Sequence, residues 1–217
     1  MASHLEGLAL SARERKNQEN KQKLYDAAAQ IMEMYDYNTV TIRNICKVSG
    51  VSYGSFYNLF DSKETFLRYY LTNDFTAYME DYFKQNADFQ QKDPLEKSVE
   101  IFLCCANYNL EKGLHFISSF YSTKNHSLFP KAGGEEEYSF TPLVQQGKVY
   151  LTEAKEKGLL PAECDVDEMI CMYCYLFNGI TFNWCLSQGS LDIVYWVKQT
   201  LQNYIDQMEH SRAITSE

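Results

Sequence analysis

Residues 41–64, TIRNICKVSGVSYGSFYNLFDSKE, hold two short helical patterns on either side of a single glycine. Thr41 is placed to cap the first helix, whose apolar Ile42, Ile45 and Cys46 recur at i, i+3 and i+4. Gly50 ends it with the permissive backbone that a sharp turn needs. After Val51 a second short helix runs through Phe56, Tyr57 and Phe60, with the small residues Ser52, Gly54 and Ser55 on its other side. Asp61 and Glu64 stand three apart, in capping-box positions for a third helix. Two short helices on a glycine-containing turn are the sequence form of a helix-turn-helix, whose second helix enters the DNA major groove.

This stretch resembles the tetracycline-repressor-like (TetR) family of bacterial transcriptional regulators. The family pattern, T-V-x-x-I-A-x-x-A-G-V-S-x-G-x-L-Y-x-H-F-x-S-K-E, is met in register by Thr41, Ile45, Gly50, Val51, Ser52, Gly54, Tyr57, Phe60, Ser62, Lys63 and Glu64. The departures are Cys46 and Ser49 for alanine, Phe56 for leucine, and Asn58-Leu59 near the usual histidine. The resemblance implies an all-α chain with an N-terminal three-helix helix-turn-helix domain and a C-terminal helical domain for ligand binding and dimerisation. The expected division is a basic arm over 1–16, the DNA-binding domain over 17–64 and the effector-binding and dimerisation domain over 65–217.

Charge agrees with that division. The chain carries a net charge of -9, which opposes DNA binding until it is split. Residues 1–63 hold eight Lys/Arg against seven Asp/Glu, and residues 64–217 hold twelve against twenty-two. Phosphate neutralisation drives DNA affinity, so only the N-terminal quarter suits that work. No run approaches ~18 consecutive apolar residues, so no membrane span is expected. The N-terminal segment has its charges after a very short apolar run, the wrong order for a signal peptide, which places the protein in the cytoplasm. Seven cysteines without framework spacing read there as reduced core thiols.

Along the chain, Arg13, Arg15 and Lys16 cluster at the end of the arm. An amphipathic helix follows from Asn17 to Tyr35, with Leu24, Ala27, Ala28 and Ile31 on one face. A helix from Ser62 to Asn86 connects the reading head to the rest. Asp93-Pro94-Leu95-Glu96 combines a capping box with proline in the first turn and opens a helix to Asn109. A shorter helix spans Leu114–Ser122, and residues 122–137 read as a loop in which His126 and Phe129 gate a pocket. Later helices open at Thr141-Pro142, at Asp165 with Glu168, and near Leu191. The last two resemble the family's dimerisation pair, and a twofold protein reads two half-sites of a pseudo-palindromic operator.

For base edges the candidates are Ser52, Tyr53 and Ser55, with Gly54 permitting close approach of backbone to DNA. Thr41, Tyr57 and Lys63 suit phosphates, Arg43 suits either role, and Asn58 belongs to the same surface. Phe102, Tyr108, Phe116, Tyr121, Tyr138, Tyr175 and Phe182 fall on helices that, by the resemblance, enclose an effector cavity; with Asn178 they suit a flat, partly polar aromatic ligand. The expected function is a ligand-responsive repressor; the alternatives are an effector-independent DNA-binding protein and a serine esterase. The esterase reading rests on Gly50-Val51-Ser52-Tyr53-Gly54, which satisfies G-x-S-x-G but needs a strand before the serine. No cofactor or metal is expected: Cys171 and Cys174 form a C-x-x-C without a second pair.

Overall fold

The computed structural model describes residues 11–34, 40–121 and 141–215, and every regular element among them is helical. The chain divides into two compact units, residues 1–67 and 68–217.

The first unit opens with α1 (Ala12–Met34), which starts inside the segment read as an arm. Ser11 and Glu14 make the reason plain. The Ser11 hydroxyl accepts the Glu14 N–H at 3.2 Å, and the Glu14 carboxylate accepts the Ser11 N–H at 2.7 Å. These bonds hold the Glu14 carboxyl below its usual range. Arg13, Arg15 and Lys16 therefore ride on a helix, not on an arm. Leu24, Ala27, Ala28 and Ile31 are buried along its inner face. The helix packs on α2 (Ile42–Ser49), whose Ile45 and Cys46 are buried, and α2 contacts α3 (Tyr53–Tyr57), whose Phe56 is buried. Phe56, Phe60 and Phe66 meet at ring centroid distances of 5.1–5.6 Å, and Tyr25 stacks on Phe66 at 5.7 Å. Phe56 is fully buried, a burial that contributes about 1.5–3 kcal/mol.

The helix α4 (Lys63–Gln85) leaves this unit and continues into the second. Its start differs from the Asp61–Glu64 box. Ser62 accepts the Thr65 N–H at 3.0 Å, so the serine one residue later is the cap. A 3-10 turn at Ala87–Gln91 follows. Then comes α5 (Pro94–Lys112), with both halves of the Asp93–Glu96 capping box formed, at 2.9 and 3.0 Å.

In the second unit α5 is the central helix, packed by α6 (Leu114–Phe120), α7 (Thr141–Glu156) and α9 (Ile193–Thr215). Between α7 and α9 lies α8 (Val166–Leu186), which Asp165 caps by accepting the Asp167 and Glu168 N–H groups. A Cβ on Gly147 of α7 would sit 2.6 Å from Ile170 Cδ1, so a larger residue there makes the end of the Ile170 side chain shift. By length and composition α8 is apolar enough to cross a membrane, and here it is packed as a core helix through Met169, Ile170, Tyr173, Phe177 and Trp184.

Two carboxylates tie α4 to α5. Asp74 accepts the Tyr108 hydroxyl and the Lys112 ammonium, each at 2.7 Å. Glu100, nearly buried, accepts Tyr82 at 2.9 Å, Lys92 at 2.8 Å and Asn86 at 3.5 Å. A buried carboxylate needs such partners to remain charged away from water.

Candidate functional site

The turn between α2 and α3 is built by three local choices. The Thr41 hydroxyl accepts the Asn44 N–H at 3.2 Å and starts α2. Gly50 takes φ 70°, the left-handed region that L side chains avoid, and its N–H closes onto the Cys46 carbonyl. Ser52 then caps α3 by accepting the Ser55 N–H at 3.1 Å, and the two serine hydroxyls lie 2.9 Å apart. Phe56 plugs α3 into the core, which leaves Tyr53, Gly54 and Tyr57 outward.

Thr41, Arg43, Ser52, Tyr53, Gly54, Tyr57 and Asn58 are exposed, while Ser55 and Lys63 are half-buried. Tyr53 and Tyr57 are two large rings held toward solvent, 47% and 50% exposed, with centroids 6.1 Å apart. A Cβ on Gly54 would meet nothing within 4 Å. Burial of the Lys63 stem pulls its ammonium below the usual range, and Glu64 opposes that shift. The same short segment carries the cations Arg43 and Lys47, exposed, and Lys63, half-buried. The G-x-S-x-G segment has the wrong context for a nucleophile elbow: α2, a helix, precedes Ser52, and the Ser52 oxygen is engaged as a cap.

The residues read as effector ligands divide into three groups. Phe102 and Tyr108 are fully buried; Phe102 meets Tyr173 and Phe177 edge-on at 5.4 and 5.7 Å, and the Tyr108 hydroxyl is taken by Asp74. Phe116 packs on the core, and the half-buried Tyr121 donates to the Asn178 side-chain oxygen at 3.0 Å. Tyr175 and Phe182 lie on the exposed face of α8 instead, 53% and 44% exposed. The helical period separates them from the buried Tyr173 and Phe177. Tyr138, His126 and Phe129 lie outside the described residues.

Sequence reasoning missed Thr181. Its side-chain oxygen is buried on α8 beside the Tyr121 hydroxyl, as the Tyr173 hydroxyl is buried beside Ser98. A threonine inside an apolar helical stripe, one turn after Asn178, was the available signal. Burial pushes the Cys104 and Cys174 thiols up to about 12, so both are poor nucleophiles and poor metal ligands near neutrality.

Residues 24–70 match the sequence profile of the family described as bacterial regulatory proteins, tetR family. The sequence matches no curated protein significantly. Among solved structures, the chain is similar to FadR of Thermus thermophilus, a TetR-family transcriptional repressor in complex with lauroyl-CoA. There the TM-score is 0.64 at 19% identity, over 84% of this chain and 91% of that one. A TetR transcriptional regulator from Rhodococcus sp. RHA1 gives 0.64 at 14% identity, over 89% and 97%. FadR of Bacillus subtilis, in complex with stearoyl-CoA, gives 0.51 at 17% identity, over 83% and 95%. At such identities these likenesses speak to fold, and the profile speaks to the N-terminal module. Residues 24–70 thus carry the N-terminal module of the tetR family of bacterial regulatory proteins, and the chain as a whole shares the fold of the solved regulators it resembles.

Proposed function

We propose that the chain is a ligand-responsive, sequence-specific DNA-binding transcriptional regulator of the cytoplasm, acting as a repressor that a small aromatic or apolar effector releases from its operator. The observation that carries this is the α2–turn–α3 geometry. A left-handed glycine and two hydroxyl caps set a short helix outward, flanked by three cations, in an otherwise acidic chain. In this reading Thr41, Tyr57 and Lys63 hold phosphates, Arg43 and Asn58 flank them, and α3 lies in the major groove.

The effector sits in the second unit, against Phe102, Phe116, Tyr121 and Asn178. The buried Thr181 hydroxyl lies beside Tyr121 and adds a polar group to this region. An acyl chain, such as those of the thioesters held by the Thermus and Bacillus proteins, falls within the apolar class.

The operator-bound form is a homodimer through α8 and α9. On α8, Tyr175, Phe182 and Leu186 are exposed at spacings of seven and four residues, with the open Gly179 between the first two. On α9, Tyr195 and Trp196 are exposed as well. An apolar stripe at helical period on an outer face is suited to a second helix, and glycine lets that helix approach.

The test is a mobility-shift assay on genomic fragments upstream of the protein's own gene, at two salt concentrations. A discrete, salt-sensitive shift that survives competitor DNA is the expected result; diffuse retardation that competitor abolishes would count against sequence-specific regulation. If no small molecule ever alters the shift, the effector-independent reading replaces the ligand-responsive one.

A further inference from the structure

We propose that Tyr53 is the residue through which α3 reads sequence, and that what it reads is the methyl group of thymine. The inference rests on the DNA-binding reading above and names the chemistry of that contact.

At the first turn of α3, where a recognition helix meets base edges, one side chain remains once the others are accounted for. Discrimination in the major groove comes mainly from Arg or Lys on guanine and from Asn or Gln on adenine. From Tyr53 to Tyr57 the helix carries none of these. Ser52 and Ser55 are already engaged with each other, through the backbone bond at 3.1 Å and the hydroxyl pair at 2.9 Å. Phe56 is wholly buried, and Gly54 has no side chain. Tyr53 is what remains, an aromatic ring about half exposed beside that of Tyr57, with open space over Gly54.

An uncharged aromatic face has one apolar group to cover in the major groove, the C5 methyl of thymine. Tyrosine suits the contact because only two torsions need be held, and the neighbouring Tyr57 ring limits them further. Tyr57 itself stands one turn further from the base edges, where its hydroxyl serves a phosphate.

The test begins with in vitro selection of duplexes by the full-length protein, followed by replacement of each thymine in the enriched site by deoxyuridine, which removes only the methyl. For the unaltered protein, affinity should fall about fourfold at one thymine per half-site, the value of one buried methyl group. Tyr53→Phe keeps the ring and should keep that sensitivity. Tyr53→Ala should bind more weakly and be indifferent to deoxyuridine at the same position, with its circular dichroism spectrum unchanged. An enriched site at which deoxyuridine has no effect anywhere overturns the inference and leaves the regulator reading intact. Equal sensitivity in Tyr53→Ala also overturns it. Failure of selection to enrich any sequence removes the DNA-binding reading and the inference together.

Discussion

Gly50, Ser52 and Phe56 show how few atoms decide the outward surface. Gly50 supplies φ 70° between α2 and α3, and an alanine there must adopt the left-handed conformation. Gly50→Ala should therefore lower stability by about 1–2 kcal/mol, read as a lower denaturant midpoint with an unchanged slope. The residues proposed to hold phosphates make a separate prediction. Tyr57→Phe and Lys63→Ala should weaken binding to every duplex alike, and Lys63→Ala should reduce the slope of log affinity against log salt by about one. A change of sequence preference in Lys63→Ala would contradict its place on the backbone. The serines also show a limit of motif reading. Ser52 satisfies the pattern of both a family signature and a hydrolase elbow, and only the helix before it separates the two.

At the scale of elements, helix starts were the most legible feature because caps are local chemistry. The Asp93–Glu96 box forms as its spacing requires, and Asp165 caps α8. Ser62 was harder to read, since Asp61, Ser62 and Glu64 all present capping groups within one turn and backbone direction selects among them. The start of α1 at Ala12 was missed in the same way, although Ser11 and Glu14 carry the spacing. Two substitutions separate cap from clasp. Asp93→Ala should cost about 1 kcal/mol, as loss of a cap does. Glu100→Ala should cost about 3 kcal/mol, because it leaves Lys92 and the Tyr82 hydroxyl without their shared buried acceptor. Thermal melts of the two variants compare them directly, and equal losses would refute the clasp. On the face of α8 proposed to form a dimer, Phe182→Glu places a charge on the exposed stripe and should raise the dimer dissociation constant about tenfold or more. Sedimentation over a concentration series measures it, and an unchanged constant would move the interface elsewhere.

For the whole molecule, the proposed function has effector and operator act through one chain, in which α4 is held to α5 by Asp74 and Glu100. Linkage then requires reciprocity. Whatever factor a compound takes from operator affinity, the operator must take from the compound's affinity. Titrating the compound into free protein and into the protein–operator complex should give the same ratio as titrating operator with and without compound. A ratio of one in both titrations would exclude coupling between the two sites.

The sequence by itself determined the helical class, the reading head and most helix starts, because each depends on neighbours a few residues apart: the period of Ile42, Ile45 and Cys46, the glycine at 50, the box at 93–96. The partners of side chains distant in sequence were decided only by tertiary structure. Tyr108, read as a pocket residue, donates to Asp74 across 34 positions, and Tyr121 meets Asn178 across 57. Tyr175 and Phe182 share a helix with Tyr173 and Phe177 and have the same apolar character, so composition cannot separate them. Which face of α8 turns inward is settled by how α7, α8 and α9 pack around α5, and packing is a property of the assembled core, not of any one segment.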